Sequence, residues 1–177
     1  MQSARIMEKL EISFLRHGNT IANTIGIYQG QLDFELSPQG ISETREKARG
    51  FDASEYDIVF CSPLKRARQT AEILMPERKD IIFDPRLMER NLGILENTKI
   101  DEETKSKLFN TQFTPQGAES LEEMDKRVRG FVDYLSERYE GKKILVITHA
   151  GLMNSVQRVF GLEKRFMKNL EILKVVV

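Results

Sequence analysis

Lys143-Ile-Leu-Val-Ile-Thr-His149 (KILVITH) decides the fold. Its four consecutive apolar residues, Ile144 to Ile147, follow Gly141 and lead into His149-Ala150-Gly151. A strand with one covered face alternates apolar and polar residues, whereas an unbroken apolar run of this length reads as a strand covered on both faces. A helical stretch from Leu152 to about Phe160 comes next. The same order appears at the other end of the chain, where Glu11 to Arg16 (EISFLR) reads as a short buried strand running into His17-Gly18.

Between these two stretches, further strands and helices alternate. Ser37-Pro38 predicts a helix start, with a side-chain cap and proline in the first turn, and the helix runs to about Gly50. Asp57 to Cys61 (DIVFC) reads as a strand, and Ser62-Pro63 as the start of a helix to about Met75, with Leu64, Ala67, Ala71 and Leu74 on one face. A third strand, DIIF, ends at Phe83. Asp101 to Phe109 reads as a short helix. Ser120 and Glu123 form an S-x-x-E capping box before a longer helix with an apolar stripe at Leu121, Met124, Val128, Phe131, Val132, Leu135 and Tyr139. The final ILKVVV reads as a closing strand. Strand-helix alternation of this kind predicts a three-layer α/β/α fold around a mostly parallel central sheet.

The 177 residues suit one domain, residues 1–177, with no repeat or Gly/Ser/Pro linker to divide them. Lys plus Arg and Asp plus Glu number 27 each, so no net attraction to nucleic acid or an anionic membrane is expected. Any positive field must be local. The single cysteine, Cys61, excludes an internal disulfide framework and a Cys-rich zinc site, and fits a reducing compartment. MQSARIMEKL carries no apolar leader, and no later segment approaches the roughly 20 apolar residues of a membrane span. A cytoplasmic location is the expectation.

The only two histidines, His17 and His149, each follow a predicted buried strand. Ligands of open α/β sheets bind outside the carboxyl ends of the strands, so both imidazoles should reach one crevice. Arg16 closes an otherwise apolar strand, and a guanidinium buried there needs an anionic partner. A carboxylate could supply it, but phosphate matches the planar fork better. Arg66, in the first turns of the helix after Cys61, should face the same sheet edge.

Five segments together resemble the histidine phosphatase superfamily, in its phosphoglycerate mutase-like branch: FLRHGNT (Phe14–Thr20), YQGQLDFELSPQG (Tyr28–Gly40), SPLKRARQTA (Ser62–Ala71), LMERNLG (Leu87–Gly93) and VITHAG (Val146–Gly151). They lie in the family's order across nearly the whole chain. The resemblance implies a phosphoglycerate mutase-like fold with His17 as the nucleophile that becomes phosphohistidine. Arg16, Arg66 and His149 would grip the transferring phosphoryl group, Asn23 would add a hydrogen bond, and Gln29 and Gly30 would border the substrate. Glu89 would protonate the leaving oxygen and then activate water.

That chemistry needs His17 neutral, which the adjacent arginines favour, and His149 protonated once a dianion is bound. The positive groups would serve without a metal or other cofactor. Glu96-Asn97 stands where the family often has Glu-Gly, and Asn154 where an arginine often follows the second histidine. These changes bear on pocket shape more than on reaction class. The glycolytic mutases carry a longer insertion between the acid and the second histidine, with paired arginines for the substrate carboxylate. No Arg-Arg pair occurs in that interval here, and Leu92 replaces the mutases' tyrosine. The expected activity is therefore phosphatase action on a small phosphorylated metabolite. A phosphoglycerate mutase and a non-catalytic phospholigand-binding module are the competing readings.

Overall fold

The computed structural model describes residues 9–177. The stretch MQSARIME, read above as part of a leaderless N-terminus, lies outside them. Five strands, β1 (Glu11–Arg16), β2 (Ile58–Cys61), β3 (Ile82–Phe83), β4 (Lys143–Thr148) and β5 (Ile172–Val176), form one sheet in the order β3-β2-β4-β1-β5. The first four are parallel, and β5 runs antiparallel to β1. This is the expected three-layer arrangement.

Alternate residues of the central strands face opposite layers, as the two-residue repeat of a strand requires. Ile12, Phe14, Phe60, Ile144 and Val146 point to one side. There they meet Met124, Val128, Phe131 and Leu135 of α5 (Leu121–Arg138) and Leu152, Met153 and Val156 of α6 (Ala150–Val159). Leu15, Val59, Cys61, Leu145 and Ile147 point to the other side, where α3 (Lys65–Leu74) covers them with Ala67, Ala71 and Leu74. Behind α3 lies α2 (Pro38–Ala48). Burial on both faces explains why β1, β2 and β4 lack alternation in sequence.

Three local readings change. The helix after β2 begins at Lys65 with Leu64 as its N-cap, not at Ser62-Pro63. Ser62 still continues the sheet ladder through its N–H to Ile147 O at 2.9 Å, and its hydroxyl is engaged by His149 Nε2 at 2.7 Å, with the Leu64 N–H only at 3.4 Å. The Lys65 N–H is instead taken by the Asp33 carboxylate at 2.6 Å. DIIF contributes only Ile82 and Phe83, and both are exposed on the edge strand. A five-residue helix, α1 (Ile21–Ile25), has no counterpart in the sequence reading. Thr20 caps it with Asn23 in the place usually held by Glu or Gln, and Gly26 closes it at φ +67°. The helix expected over Asp101 to Phe109 is α4 (Glu102–Lys107), capped by the Asp101 carboxylate.

Among the described residues no helix is long and apolar enough to cross a membrane.

Candidate active site

Strand order supplies the central fact of the site. β1 and β4 are neighbours in register, with Arg16 opposite Thr148, and the His17 N–H donates to Thr148 O at 2.9 Å. The residues that follow the two strands therefore emerge side by side. The His17 and His149 rings lie 5.1 Å apart between centroids, tilted by 55°.

Their hydrogen bonds assign the tautomers. Nδ1 of His17 faces Gly18 O at 2.7 Å, and a carbonyl only accepts, so Nδ1 carries the proton and Nε2 keeps a lone pair. Nδ1 of His149 accepts from Arg66 Nε at 3.1 Å, so its proton sits on Nε2 and donates to Ser62 Oγ at 2.7 Å. Both rings are buried, and both are held well below the usual imidazole range. Burial is the largest cause for each, followed by the Arg66 guanidinium. The nearby arginines were expected to favour neutral His17, and they do; desolvation does more. In the free site His149 is likewise held toward its neutral form.

Among the described residues neither arginine makes a direct ion pair with a carboxylate, although Glu89 lies close enough to favour the charge of both. Arg16 donates from Nη1 to Met167 O at 2.6 Å, and its buried Nε has no partner in the protein. Arg66 is 1 % exposed and reaches Leu32 O and Gly30 O, each at 2.8 Å, besides His149. Burial pulls its pKa down to about 10, still well above neutrality. Thr70 braces this corner by accepting from Gly18 N–H at 3.0 Å and donating to Arg66 O at 2.6 Å. Asn169 Nδ2 donates to His17 O at 2.8 Å.

Arg16, His17, Arg66 and Glu89 line one cavity of about 210 Å³. The Glu89 carboxylate accepts from its neighbour's N–H (Arg90, 2.8 Å) and from Gly151 N–H at 3.1 Å in the first turn of α6. Gly151 allows this approach, since a methyl group there would overlap Glu89 Oε1. Asn23 and Gln29 border the cavity as expected. Asn23 Oδ1 is committed to Thr20, which leaves its amide NH2 as the end available to an anion. Gln29 Oε1 accepts from Thr20 Oγ1 at 2.9 Å.

Gly30 also borders the cavity, and its carbonyl accepts from Arg66 Nη2 at 2.8 Å. His149 is fully buried beside His17 and accepts from Arg66 Nε.

Several contributors escaped the sequence reading. Ser62 carried the signal of following a strand at the same edge as the histidines, but it was assigned to a cap. Met167 and Asn169 come from more than 150 residues away and carry no local signal. Arg90, also on the cavity wall, was hidden in a charged loop. No group of three His, Cys, Asp or Glu side chains among the described residues is placed to hold a metal ion.

Two adjacent imidazoles, two guanidiniums and a carboxylate thus meet at the carboxyl edge of a parallel sheet, and comparison with known proteins gives the fold as phosphoglycerate mutase-like α/β. Residues 12–176 match the model of the histidine phosphatase superfamily, branch 1. The chain belongs to that superfamily. It is 32% identical over 152 residues to a putative phosphoserine phosphatase 2 of Hydrogenobacter thermophilus, covering 80% of this chain and 74% of that protein. It is 29% identical over 161 residues to a metal-independent phosphoserine phosphatase of Arabidopsis thaliana, covering 84% and 68%. The mycobacterial glucosyl-3-phosphoglycerate phosphatase, solved with VO3, superposes with a TM-score of 0.82 at 23% identity, covering 93% of this chain and 91% of that one.

The buried histidines make stability depend on pH. Their folded pKa values lie below the unfolded value of 6.5, so the unfolded chain binds more protons as the medium is acidified. The stability they contribute is present above about pH 6.5 and is lost as pH falls below it. Up to two protons taken up on unfolding give a slope of about 2.7 kcal/mol per pH unit. Urea midpoints measured between pH 7.5 and 5.5 should fall, and replacing His149 by Asn should flatten the slope by up to half.

Proposed function

We propose that this phosphatase hydrolyses phosphomonoesters of small metabolites through a phosphohistidine on His17, without a metal ion. One observation carries the reading: a neutral imidazole with a free Nε2 lone pair stands beside two buried guanidiniums that have no carboxylate partner. Glu89 offsets part of their charge from across the cavity, but a buried guanidinium with no direct ion pair is still costly, and a phosphoryl group would relieve that cost. The cavity is smaller than the about 300–1,000 Å³ typical of sites for drug-sized ligands, which favours a small metabolite.

In the first step His17 Nε2 attacks phosphorus, the bond from phosphorus to the ester oxygen breaks, and Glu89 gives that oxygen a proton. In the second, water attacks phosphorus, Glu89 takes the water's proton, and the P–N bond breaks to release inorganic phosphate and free His17. Arg16 and Arg66 hold the equatorial oxygens, where charge must be stabilised throughout. Asn23 adds a donor, and Gln29 and Gly30 shape the wall. His149 holds Arg66 Nε in the free site, and an arriving dianion reverses the local field and favours its protonated form.

The whole chain acts as one domain, because both hydrophobic layers rest on the same sheet. A reducing, cytoplasmic setting fits the single buried thiol of Cys61.

Rapid quenching with labelled substrate tests the reading. Acid-labile, base-stable label should appear on His17, and label on a serine or aspartate would overturn it. Release of inorganic phosphate, rather than transfer to a second hydroxyl group, separates hydrolysis from mutase action. The phosphate grip has its own test in Arg66→Lys, which keeps charge but cannot reach Leu32 O, Gly30 O and His149 together. Its kcat should fall by about 10²–10³, as for loss of one preorganised donor. A change within about twofold would remove Arg66 from the reacting centre.

A further inference from the structure

His17 can attack only while its proton stays on Nδ1, and that proton is held by the Gly18 carbonyl at 2.7 Å. Nothing in the local sequence secures this contact. Glycine has no Cβ to restrict its dihedral angles, so the peptide unit between His17 and Gly18 could rotate at little cost and carry the Gly18 carbonyl away from the ring. A larger residue is no remedy, because a Cβ at position 18 would fall 2.6 Å from Thr44 Oγ1.

Two side chains hold that peptide unit, one at each end. The Gly18 N–H donates to Thr70 Oγ1 at 3.0 Å, and the His17 carbonyl accepts from Asn169 Nδ2 at 2.8 Å. Among the described residues no other group donates to this carbonyl. In a continuing parallel ladder the next N–H after β4 would supply it, but the chain turns there into α6, with His149 as the N-cap.

The backbone that delivers Asn169 is itself tied to the end of β1. Leu170 N–H donates to Arg16 O at 3.0 Å, and Arg16 N–H donates to Glu171 O at 3.1 Å. Leu170 sits at φ +61°, a left-handed conformation that a bulky side chain adopts only where its surroundings impose it. Strain of this kind gathers at functional sites.

We propose that Asn169 is a positioning residue for the nucleophile. By fixing the His17–Gly18 peptide at the end opposite Thr70, it keeps the Gly18 carbonyl on Nδ1 and so keeps the Nε2 lone pair free to attack. Without the amide the peptide turns, the contact to Nδ1 is lost, and the proton passes to Nε2, which then has no electron pair to offer. The inference rests on the reading of His17 as the nucleophile.

Nitrogen NMR reads the tautomer directly, and the chain has only two histidines to resolve. At about pH 7.5 both rings are neutral. Wild type should show one ring protonated on Nδ1, assigned to His17 by its absence from His17→Ala, and one protonated on Nε2. Asn169→Leu keeps nearly the same volume and removes the donor. Its His17 signals should move toward the Nε2-protonated form, and the rate constant for forming phospho-His17 from p-nitrophenyl phosphate should fall by about 10–100-fold, as for a misaimed reacting group. The half-saturating substrate concentration, set by Arg16 and Arg66, should change by less than about threefold. Asn169→Ala gives the same readouts if the leucine variant does not fold.

Wild-type signals with His17 protonated on Nε2 would overturn the proposal. So would a folded variant that keeps the wild-type tautomer, whatever its rate, or one with an altered tautomer and an unchanged rate. Failure of both variants to fold would do the same, because Asn169 would then be a tie for the closing strand. If wild type turns over no ester, the phosphatase reading fails, while the nitrogen signals still decide whether Asn169 holds the tautomer.

Discussion

Replacing His17 by alanine should lower kcat by about 10⁶-fold, the scale on which removal of a covalent nucleophile acts when its partners remain. No other atom of the site offers the same attack. His149 presents its only lone pair to Arg66, and Ser62 Oγ is engaged with His149. The variant should remain folded. His17 is 2 % exposed, yet its neighbours are polar groups lining a cavity, so truncation enlarges that cavity instead of opening a void in an apolar layer. An unchanged thermal transition beside residual activity above about one part in 10³ would assign the attacking group to another residue.

Glu89→Gln should slow hydrolysis of an alkyl phosphate by about 10²–10⁴-fold, the usual range for general acid catalysis. The formation of phospho-His17 from p-nitrophenyl phosphate should suffer far less, because that oxygen departs as a stabilised anion. A common loss is expected on top of this difference. Both oxygens of Glu89 accept main-chain N–H groups, and an amide can satisfy only one of them as acceptor. The readout is therefore the ratio between the two leaving groups in the burst phase, not the absolute rate. Equal losses would reduce Glu89 to a pocket charge, and no loss to an ordinary loop glutamate.

Strands β1, β2 and β4 were legible almost to the residue because burial on both faces leaves continuous apolar runs in β2 and β4, and one broken only by Ser13 in β1. β3 was not, since DIIF looks like a core strand but pairs through two residues at an exposed edge. The α1 helix escaped because five residues hold too little periodicity and its cap uses Asn23 where Glu or Gln is the usual sign. Ser62 misled for a physical reason: Ser-Pro is a strong start signal, but its hydroxyl is taken up by His149 Nε2 instead of a helix N–H. In the site, His17 and His149 could be placed at one sheet edge from sequence, but their contact depends on β1 lying beside β4. Strand order is a tertiary property with no local sign. The burial that lowers both imidazoles and leaves Arg90 Nη2 without a partner likewise exists only once the layers close.

The hydrogen bond from Asn169 to His17 spans 152 positions, and the one from Arg16 to Met167 spans 151. During synthesis at about 5–20 residues per second, His17 thus precedes its last support by about 8–30 seconds. His17 is therefore translated well before the residues that hold it in place. Through that interval a nascent chain carries the reactive residue without the surroundings that make it reactive, and a competent site forms only when the segment of Met167 and Asn169 folds back beside the opening strand.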